Sequence, residues 1–197
     1  MTHNIKNKIS MKPTSGNFSE KYNCIWLAPP RTGTRGLTRI FHFLGFQNVG
    51  NPNKKFDSMN YTHGYPTLNE FIGHDVIISV RNPYGRLYSL YENYFKTSAT
   101  NYKTFEKFID DLDEAQLNMP TFKIFTFPVN FVVRLENQYE DLIKIPFVRE
   151  NFTDKQLKLM TTHEKEIHDW TKEYSPKMKE KVYYFFKYQF DAFGYKK

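Results

Sequence analysis

Short apolar segments that alternate with segments of helical periodicity constrain the fold of this chain more than any other feature. The runs at 23–28, 75–80 and 130–135 are apolar and contain β-branched or aromatic residues, which is typical of buried strands. Other segments place apolar residues at helical spacing, at 37–44, 87–95, 104–117, 138–143 and 176–193. Strands that alternate with helices favour a parallel sheet joined by helical crossovers. The sequence therefore predicts an α/β single domain with a central parallel sheet flanked by helices.

Residues at the ends of these segments predict where helices begin and end. Asn82 followed by Pro83 is typical of an N-cap and a first helical position. Gly45 and Gly194 follow helical segments and are expected to end them. Residues 47–66 are polar and rich in Asn, Pro and Gly, so they are predicted to form a long loop. Loops of this length are commonly functional.

Length and cysteine content narrow the class of protein. The 197 residues suit one domain, and no apolar run approaches the ~20 residues of a membrane span. The single cysteine, Cys24, excludes an internal disulfide framework and fits a reducing compartment. Residues 1–21 are polar and lack the apolar core of a signal peptide. We therefore expect a cytoplasmic protein with a flexible arm at 1–21 and one domain at 22–197.

The net charge of +7 favours an anionic partner, which can be nucleic acid, an acidic polymer or a phosphorylated cofactor. Nucleic acid is not predicted as the partner, because no helix carries a basic stripe and no nucleic-acid-binding motif is found in the sequence.

A strand-to-helix junction in WLAPPRTGTRGLTRIF is the first candidate anion site. A helix N-terminus presents unpaired N–H groups and the positive end of a dipole, so phosphate binds there readily. Gly33 allows close backbone approach, while Thr32 and Thr34 add hydroxyl donors. Arg31 and Arg35 add positive charge. The alternative is a tight turn with two solvated arginines.

A second candidate lies in DVIISVRNPYGRLYSL. Arg81 ends a predicted strand, where ligands of parallel α/β sheets gather. Ser89 follows eight residues later, off the apolar stripe, and Arg86 shares its helix face. These groups can converge on a second phosphate. Taken singly, Arg81 also suits an ion pair and Ser89 an incidental polar position.

Together the two segments resemble the paired cofactor signatures of sulfotransferases that use PAPS, 3′-phosphoadenosine 5′-phosphosulfate. The family pattern [KR]-[ST]-G-[ST] corresponds to RTGT, and R-[ND]-P-x-x-R-x-x-S corresponds to RNPYGRLYS. RLENQYEDL, at 134–142, is similar to the pattern R-F-E-N-hydrophobic-x-x-D. The terminal FGY is similar to the family's D-x-x-x-F-G-Y, with Asp191 shifted closer. The resemblance covers roughly 22–195 and is closest to the carbohydrate-type and bacterial branch, which writes R-N-P.

The resemblance implies a P-loop-like sulfotransferase fold. In that family the first signature holds the 5′-phosphosulfate, and the second holds the 3′-phosphate through its first arginine and its serine. It implies cofactor binding by Arg31, Thr32, Gly33, Thr34, Arg35, Arg81 and Ser89. The sequence departs from the family after Thr34, where Arg35 and Gly36 replace a hydroxyl residue and often a bulky one. Another aromatic ring is therefore needed to stack on adenine, and Arg35 suits phosphate binding or an acidic acceptor.

The implied reaction transfers a sulfuryl group from PAPS to a hydroxyl or amine, with 3′,5′-ADP as the by-product. Arg31 is the expected catalytic group that stabilises charge on the departing 5′-phosphate. The R-N-P branch favours a carbohydrate, so the expected partner is a small-molecule or glycan acceptor. No metal is expected, in agreement with the lack of a Walker GxxxxGK[ST] pattern.

His63, in the long loop between the two cofactor segments, is the expected catalytic base. Many related sulfotransferases place their catalytic histidine there, whereas some use a glutamate, for which Glu70 is the alternative. Thr67-x-x-Glu70 also reads as a helix capping box. A loose match to a loop that closes over the cofactor involves Arg149, Asn151 and Thr153.

Two other functions remain open from the sequence. A P-loop-like nucleotide or small-molecule kinase has a similar fold, but needs a Walker lysine and magnesium ligands. A non-catalytic relative would bind the nucleotide without turnover.

Overall fold

The computed structural model describes residues 16–49, 68–96, 102–113, 129–162 and 169–197. The strands are β1 (Gly16–Ser19), β2 (Cys24–Leu27), β3 (Gln47–Val49), β4 (Asp75–Val80) and β5 (Phe131–Arg134). The α-helices are α1 (Thr34–Phe43), α2 (Pro83–Leu90), α3 (Phe105–Asp110), α4 (Gln138–Leu142), α5 (Pro146–Asn151), α6 (Asp154–Thr161) and α7 (Pro176–Phe193). A π-helical turn, Tyr91–Phe95, continues α2, and short 3-10 helices occupy Leu68–Phe71, Leu135–Asn137 and Trp170–Glu173.

The five strands form one mixed sheet in the order β3-β1-β2-β4-β5. The strands β2, β4 and β5 are parallel, whereas β1 is antiparallel to both β2 and β3. The predicted α/β fold with a parallel core is therefore confirmed, but the sheet is not wholly parallel. A tight connection joins β1 to β2, and such a link permits only an antiparallel hairpin.

The two antiparallel strands differ from the sequence-based expectation. The sequence predicts an arm at 1–21, yet Gly16–Ser19 form a strand whose four residues are all buried, and Asn17 Nδ2 donates to Trp26 O at 3.1 Å. It also predicts a loop at 47–66, whereas Gln47–Val49 form a strand. Both strands are short and carry little apolar alternation, so no local signal marks them. Residues 1–15 and 50–66 lie outside the described ranges.

Successive strand residues point to opposite sides, so the sheet has two apolar faces, and both are packed. Trp26 and Ile77 pack on the face that carries Leu37 of α1 and Leu157 of α6. Residues of the opposite parity, such as Ile78, pack with Phe193 on the other face. A third, aromatic-rich cluster joins α2, α3 and α7.

The predicted helix ends are confirmed by local geometry. Asn82 Oδ1 accepts from Tyr84 N at 3.0 Å, which caps α2. Gly45 and Gly194 adopt φ values of +79° and +71°, the left-handed conformation that terminates α1 and α7. In the described ranges, no helix has the length and apolar character needed to cross a membrane.

Candidate anion-binding site

The two candidate anion segments meet in the structure. The strands β2 and β4 are parallel neighbours, so the segments that follow them emerge at the same edge of the sheet. The Nε atom of Arg31 donates to the Oγ atom of Ser89 at 2.9 Å, across 58 positions of sequence. Burial lowers the pKa of the Arg81 guanidinium, Glu136 opposes that effect, and the positive charge of Arg31 adds to it. Arg31, Arg81 and Ser89 therefore form one cluster.

The loop between β2 and α1 has an unusual backbone. Gly33 has a φ of +79°, and a Cβ atom there would stand 2.5 Å from Leu135 Cδ1 and 2.6 Å from Gln138 Nε2. Both conformation and space therefore require glycine. Arg31 also has a positive φ, of +65°, which is uncommon outside glycine and which concentrates at ligand clamps.

The N-terminus of α1 is open to an anion. Gly33 is its N-cap, no side chain caps it, and its first turn carries no acidic residue. The first N–H groups of a helix have no intrahelical partner, and the helix dipole is positive at this end. Arg35 lies in this turn and is exposed. A negatively charged group is the expected partner for such an end.

The two predicted threonine donors are placed differently from the expectation. Thr32 is fully buried, and its Oγ1 donates to Pro29 O at 2.8 Å, so this hydroxyl stabilises the turn. Thr34 is also buried, at the first position of α1. Their contact with a ligand stays a prediction.

Arg86 is buried beneath the loop and supports its backbone. Its side chain is buried, and its Nε donates to Pro30 O at 3.1 Å. The structure thus gives Arg86 a role in holding the loop backbone, and its predicted part in binding an anion beside Ser89 stays a prediction. The sequence alone could not distinguish these roles, since both place Arg86 on the Ser89 face of α2.

Glu136 joins the remaining segments to the site. Its Oε1 accepts from Asn82 N at 2.9 Å, and its Oε2 accepts from the hydroxyl of Tyr195 at 3.0 Å. Burial, followed by the charge of Glu136, raises the pKa of Tyr195, so the phenol remains a donor. The segments RTGT, RNPYGRLYS, RLENQYEDL and FGY are thus linked through a chain of contacts at one edge of the sheet.

A salt bridge stabilises the third of these segments. Arg134 donates from Nε and Nη2 to the two carboxylate oxygens of Asp141 at 2.8 and 2.7 Å, and Lys144 adds a third contact at 2.8 Å. Burial alone would raise the pKa of Asp141, but the hydrogen bonds from Arg134 and Lys144 outweigh it and lower that pKa. These ions are paired with one another, so they support the fold of β5 and α4.

A cavity of about 440 Å³ opens beside β5 and is lined by residues including Arg134, Asp141, Lys144 and Phe193. None of its lining residues belongs to the predicted cofactor set. Because its cations are already paired with Asp141, it is a poorer anion site than the Arg31–Arg81 cluster.

Sequence reasoning missed Trp170. If Gly85 carried a Cβ atom, that atom would stand 2.6 Å from Trp170 Nε1 and 3.1 Å from Arg81 Nε. The indole therefore lies beside the Arg81 guanidinium, with its ring stacked on Tyr84 at 5.7 Å. Trp170 lies in a polar segment without periodicity, so the sequence offers no signal for this placement.

Gln138 is the second residue that sequence reasoning missed. It occupies the position that the third pattern writes as hydrophobic, and its side chain contacts the Gly33 loop. Only its departure from that pattern marks it in the sequence.

The two candidate bases are His63 and Glu70, and the described residues include only Glu70. His63 and Thr67 lie outside the described residues, so the base assignment and the capping box stay predictions. Glu70 lies in the 3-10 helix Leu68–Phe71, where it is buried.

The segment expected to close over a cofactor is helical instead. Arg149 and Asn151 belong to α5, and Asn151 Nδ2 donates to Phe147 O at 2.7 Å. Thr153 begins α6 in a capping box with Gln156. The side chains of Asn151 and Thr153 therefore stabilise helix ends, and the contact of this segment with a cofactor stays a prediction.

No family model, curated protein or solved structure matches this chain. Function must therefore be inferred from the site itself. The described residues contain no group of three or more His, Cys, Asp or Glu side chains able to hold a metal ion. What the site does contain is two guanidinium groups, a hydroxyl and an uncapped helix N-terminus, a set that suits a ligand with more than one anionic group.

Proposed function

We propose that this protein is a PAPS-dependent sulfotransferase with a P-loop-like fold, which transfers a sulfuryl group to a hydroxyl or amine of an acceptor. A carbohydrate is the favoured acceptor class. The observation that carries the proposal is the 2.9 Å hydrogen bond between Arg31 and Ser89. It joins the two segments that resemble the phosphosulfate and 3′-phosphate signatures, so both anionic ends of one nucleotide have adjoining partners.

The residues of the site fit such a nucleotide. The α1 N-terminus with Arg31 suits the 5′-phosphosulfate, while Arg81 with Ser89 suits the 3′-phosphate. The two residues after Thr34 include no aromatic ring to stack on adenine. Trp170, which lies beside Arg81, supplies that ring. Phosphate oxygens compete well for the Arg31–Ser89 bond, because a guanidinium bonds an ionised oxygen more strongly than a neutral hydroxyl.

The bound donor supplies an activated sulfuryl group. In the transfer, the acceptor oxygen or nitrogen forms a bond to sulfur as the bond from sulfur to the 5′-phosphate oxygen breaks. Arg31 and the α1 N–H groups stabilise the negative charge that develops on that phosphate. The acceptor proton passes to His63, with Glu70 as the alternative base.

Thermal unfolding in the presence of nucleotides tests this proposal. A ligand at 100 times its Kd stabilises a protein by about 2.7 kcal/mol, which raises the melting temperature by several degrees. We expect that stabilisation from 3′,5′-ADP without metal, and we expect Arg81→Ala to abolish it. Arg39, an exposed arginine of α1, is the matched control, and Arg39→Ala should keep the shift.

The other outcomes select other functions. Stabilisation only by magnesium-ATP would support the kinase and contradict the sulfotransferase. A further outcome is that the protein binds 3′,5′-ADP and yet releases none of it from PAPS when a panel of glycans and small alcohols is offered. That result would support the non-catalytic relative. No stabilisation by either nucleotide would contradict the proposed site.

A further inference from the structure

The side-chain amide of Gln138 is buried without a hydrogen-bond partner among the described residues. Gln138 is the first residue of α4, and only 4% of it is exposed. Neither Nε2 nor Oε1 finds a hydrogen-bond partner among the described residues. Buried side-chain polar atoms are nearly always paired, so an amide with both ends unpaired calls for an explanation.

The position of this amide points to the anion site. Its Nε2 lies 2.6 Å from where a Cβ of Gly33 would stand, and its Oε1 lies 4.0 Å from the equivalent point on Gly36. Gln138 therefore packs against the backbone that begins α1. That helix start is itself uncapped, with no acidic residue in its first turn. Two unsatisfied groups, the helix N-terminus and a buried amide, thus lie at the same short backbone segment.

Peptide geometry couples the start of α1 to the amide of Gln138. In a trans peptide the N–H and C=O bonds lie in one plane and point in opposite directions. When an anion draws loop N–H groups outward, the attached carbonyl groups turn inward, toward Gln138. In the structure Arg31, which begins this loop, has a φ of +65° and donates to Ser89, so an anion that takes the Arg31 guanidinium frees the loop to turn in this way.

We propose that Gln138 is a positioning residue of the anion site, whose carboxamide, unpaired in the structure, bonds the Arg31–Gly36 backbone when an anion binds. The inference rests on the proposed site, and it explains why an unpaired amide is kept at a buried position. Gln138 then contributes to ligand affinity at the expense of the free protein's stability. A residue that only filled the core would stabilise the protein and would not contribute to ligand affinity.

The test compares Gln138→Met, which keeps the shape and removes the polar atoms, with Gln189→Met. Gln189 is a matched control because it is equally buried but donates from Nε2 to the hydroxyl of Tyr188 at 2.9 Å. Calorimetric titration with pyrophosphate and with 3′,5′-ADP gives the Kd, and thermal unfolding without ligand gives the stability. For Gln138→Met we expect an equal or higher melting temperature and a Kd raised about tenfold. For Gln189→Met we expect a lower melting temperature and an unchanged Kd.

A second measurement uses the unmodified protein. The side-chain amide resonances of Gln138 should shift, and their exchange with solvent should slow, when pyrophosphate binds. Unchanged resonances, or an unchanged Kd in Gln138→Met, would overturn the inference.

The two ligands separate this inference from the proposed function. If the protein binds pyrophosphate but not 3′,5′-ADP, the sulfotransferase proposal fails, and a raised pyrophosphate Kd in Gln138→Met still supports the inference. If the protein binds 3′,5′-ADP and Gln138→Met binds it equally well, the inference fails alone. If it binds neither, both fail.

Discussion

The guanidinium of Arg31 and the hydroxyl of Ser89 are joined by a hydrogen bond of 2.9 Å, although 58 positions separate them in sequence. The bond ties the loop after β2 to the helix after β4. It engages Nε of Arg31 and the hydroxyl of Ser89, two groups that suit an anion. Phosphate oxygens exchange favourably for this bond, because a guanidinium bonds an ionised oxygen more strongly than a neutral hydroxyl.

Ser89→Ala should weaken the binding of 3′,5′-ADP. Hydrogen bonds to charged groups contribute about 1.5–3 kcal/mol, so we expect the Kd measured by calorimetry to rise roughly 10- to 100-fold. Ser175→Ala is the control, because Ser175 caps α7 and does not belong to the site. That change should cost about 1 kcal/mol of unfolding free energy and leave the Kd unchanged. Equal Kd values for Ser89→Ala and the unmodified protein would remove Ser89 from the site.

Gly33→Ala should destabilise the protein more than Gly45→Ala. Both glycines have a φ of +79°, but only Gly33 has atoms within 3 Å of the added Cβ, whereas Gly45 has open space. We expect a loss of about 1 kcal/mol at Gly45 from backbone strain and about 2–4 kcal/mol at Gly33, where overpacking adds to it. Urea unfolding without ligand measures both. Equal losses would show that Leu135 and Gln138 move aside at no cost.

Asp141→Asn should lower stability at neutral pH more than at acid pH. The pKa of Asp141 is depressed in the folded state, so its stabilisation is present above the ordinary aspartate value near 4. That stabilisation is lost as the pH falls through the lower, folded-state pKa. We expect a loss of about 2–3 kcal/mol at pH 7 and a smaller difference at pH 3, measured by urea unfolding.

The control for this prediction is Asp111→Asn. Asp111 pairs with Lys107 on the exposed side of α3, and surface pairs of this kind contribute at most about 0.5 kcal/mol. A loss from Asp141→Asn that is the same at both pH values would contradict an origin in the Arg134–Asp141 ion pair.

Trp170 should report the binding of 3′,5′-ADP by fluorescence. The chain has two tryptophans, and the other, Trp26, is fully buried with its Nε1 donating to Ser79 Oγ at 2.7 Å. A base that stacks beside Arg81 should therefore change only the emission of Trp170. We expect Trp170→Phe to lose the ligand-dependent change. Its persistence in that variant would place the base elsewhere.

His63→Ala should separate binding from turnover. Removing a general base lowers the rate about 10²–10⁴-fold, while the Kd of 3′,5′-ADP should not change, since the base contacts the acceptor. Release of 3′,5′-ADP from PAPS with a saturating acceptor measures the rate. Glu70→Gln is the comparison: if it abolishes turnover while His63→Ala does not, the glutamate is the base.

Local signals in the sequence were sufficient for the elements that carry the site. The strand at 75–80 and the helix beginning at Pro83 were predicted with the bounds that the structure shows, as was the end of α7 at Phe193. Apolar periodicity, an N-cap and a left-handed glycine each act over a few residues, so they are readable without the fold. The short polar strands β1 and β3 were missed because only their partners in the sheet select their conformation.

Local patterns in the sequence are enough to place arginine and hydroxyl residues at the ends of β2 and β4. The roles of these residues depend on the three-dimensional packing. It joined Arg31 to Ser89, buried Arg86 against Pro30, and brought Gln138 and Trp170 to the site from elements without a motif. The reason is physical: side chains far apart in sequence meet only when strand order and helix packing bring their elements together, and no local pattern encodes that geometry.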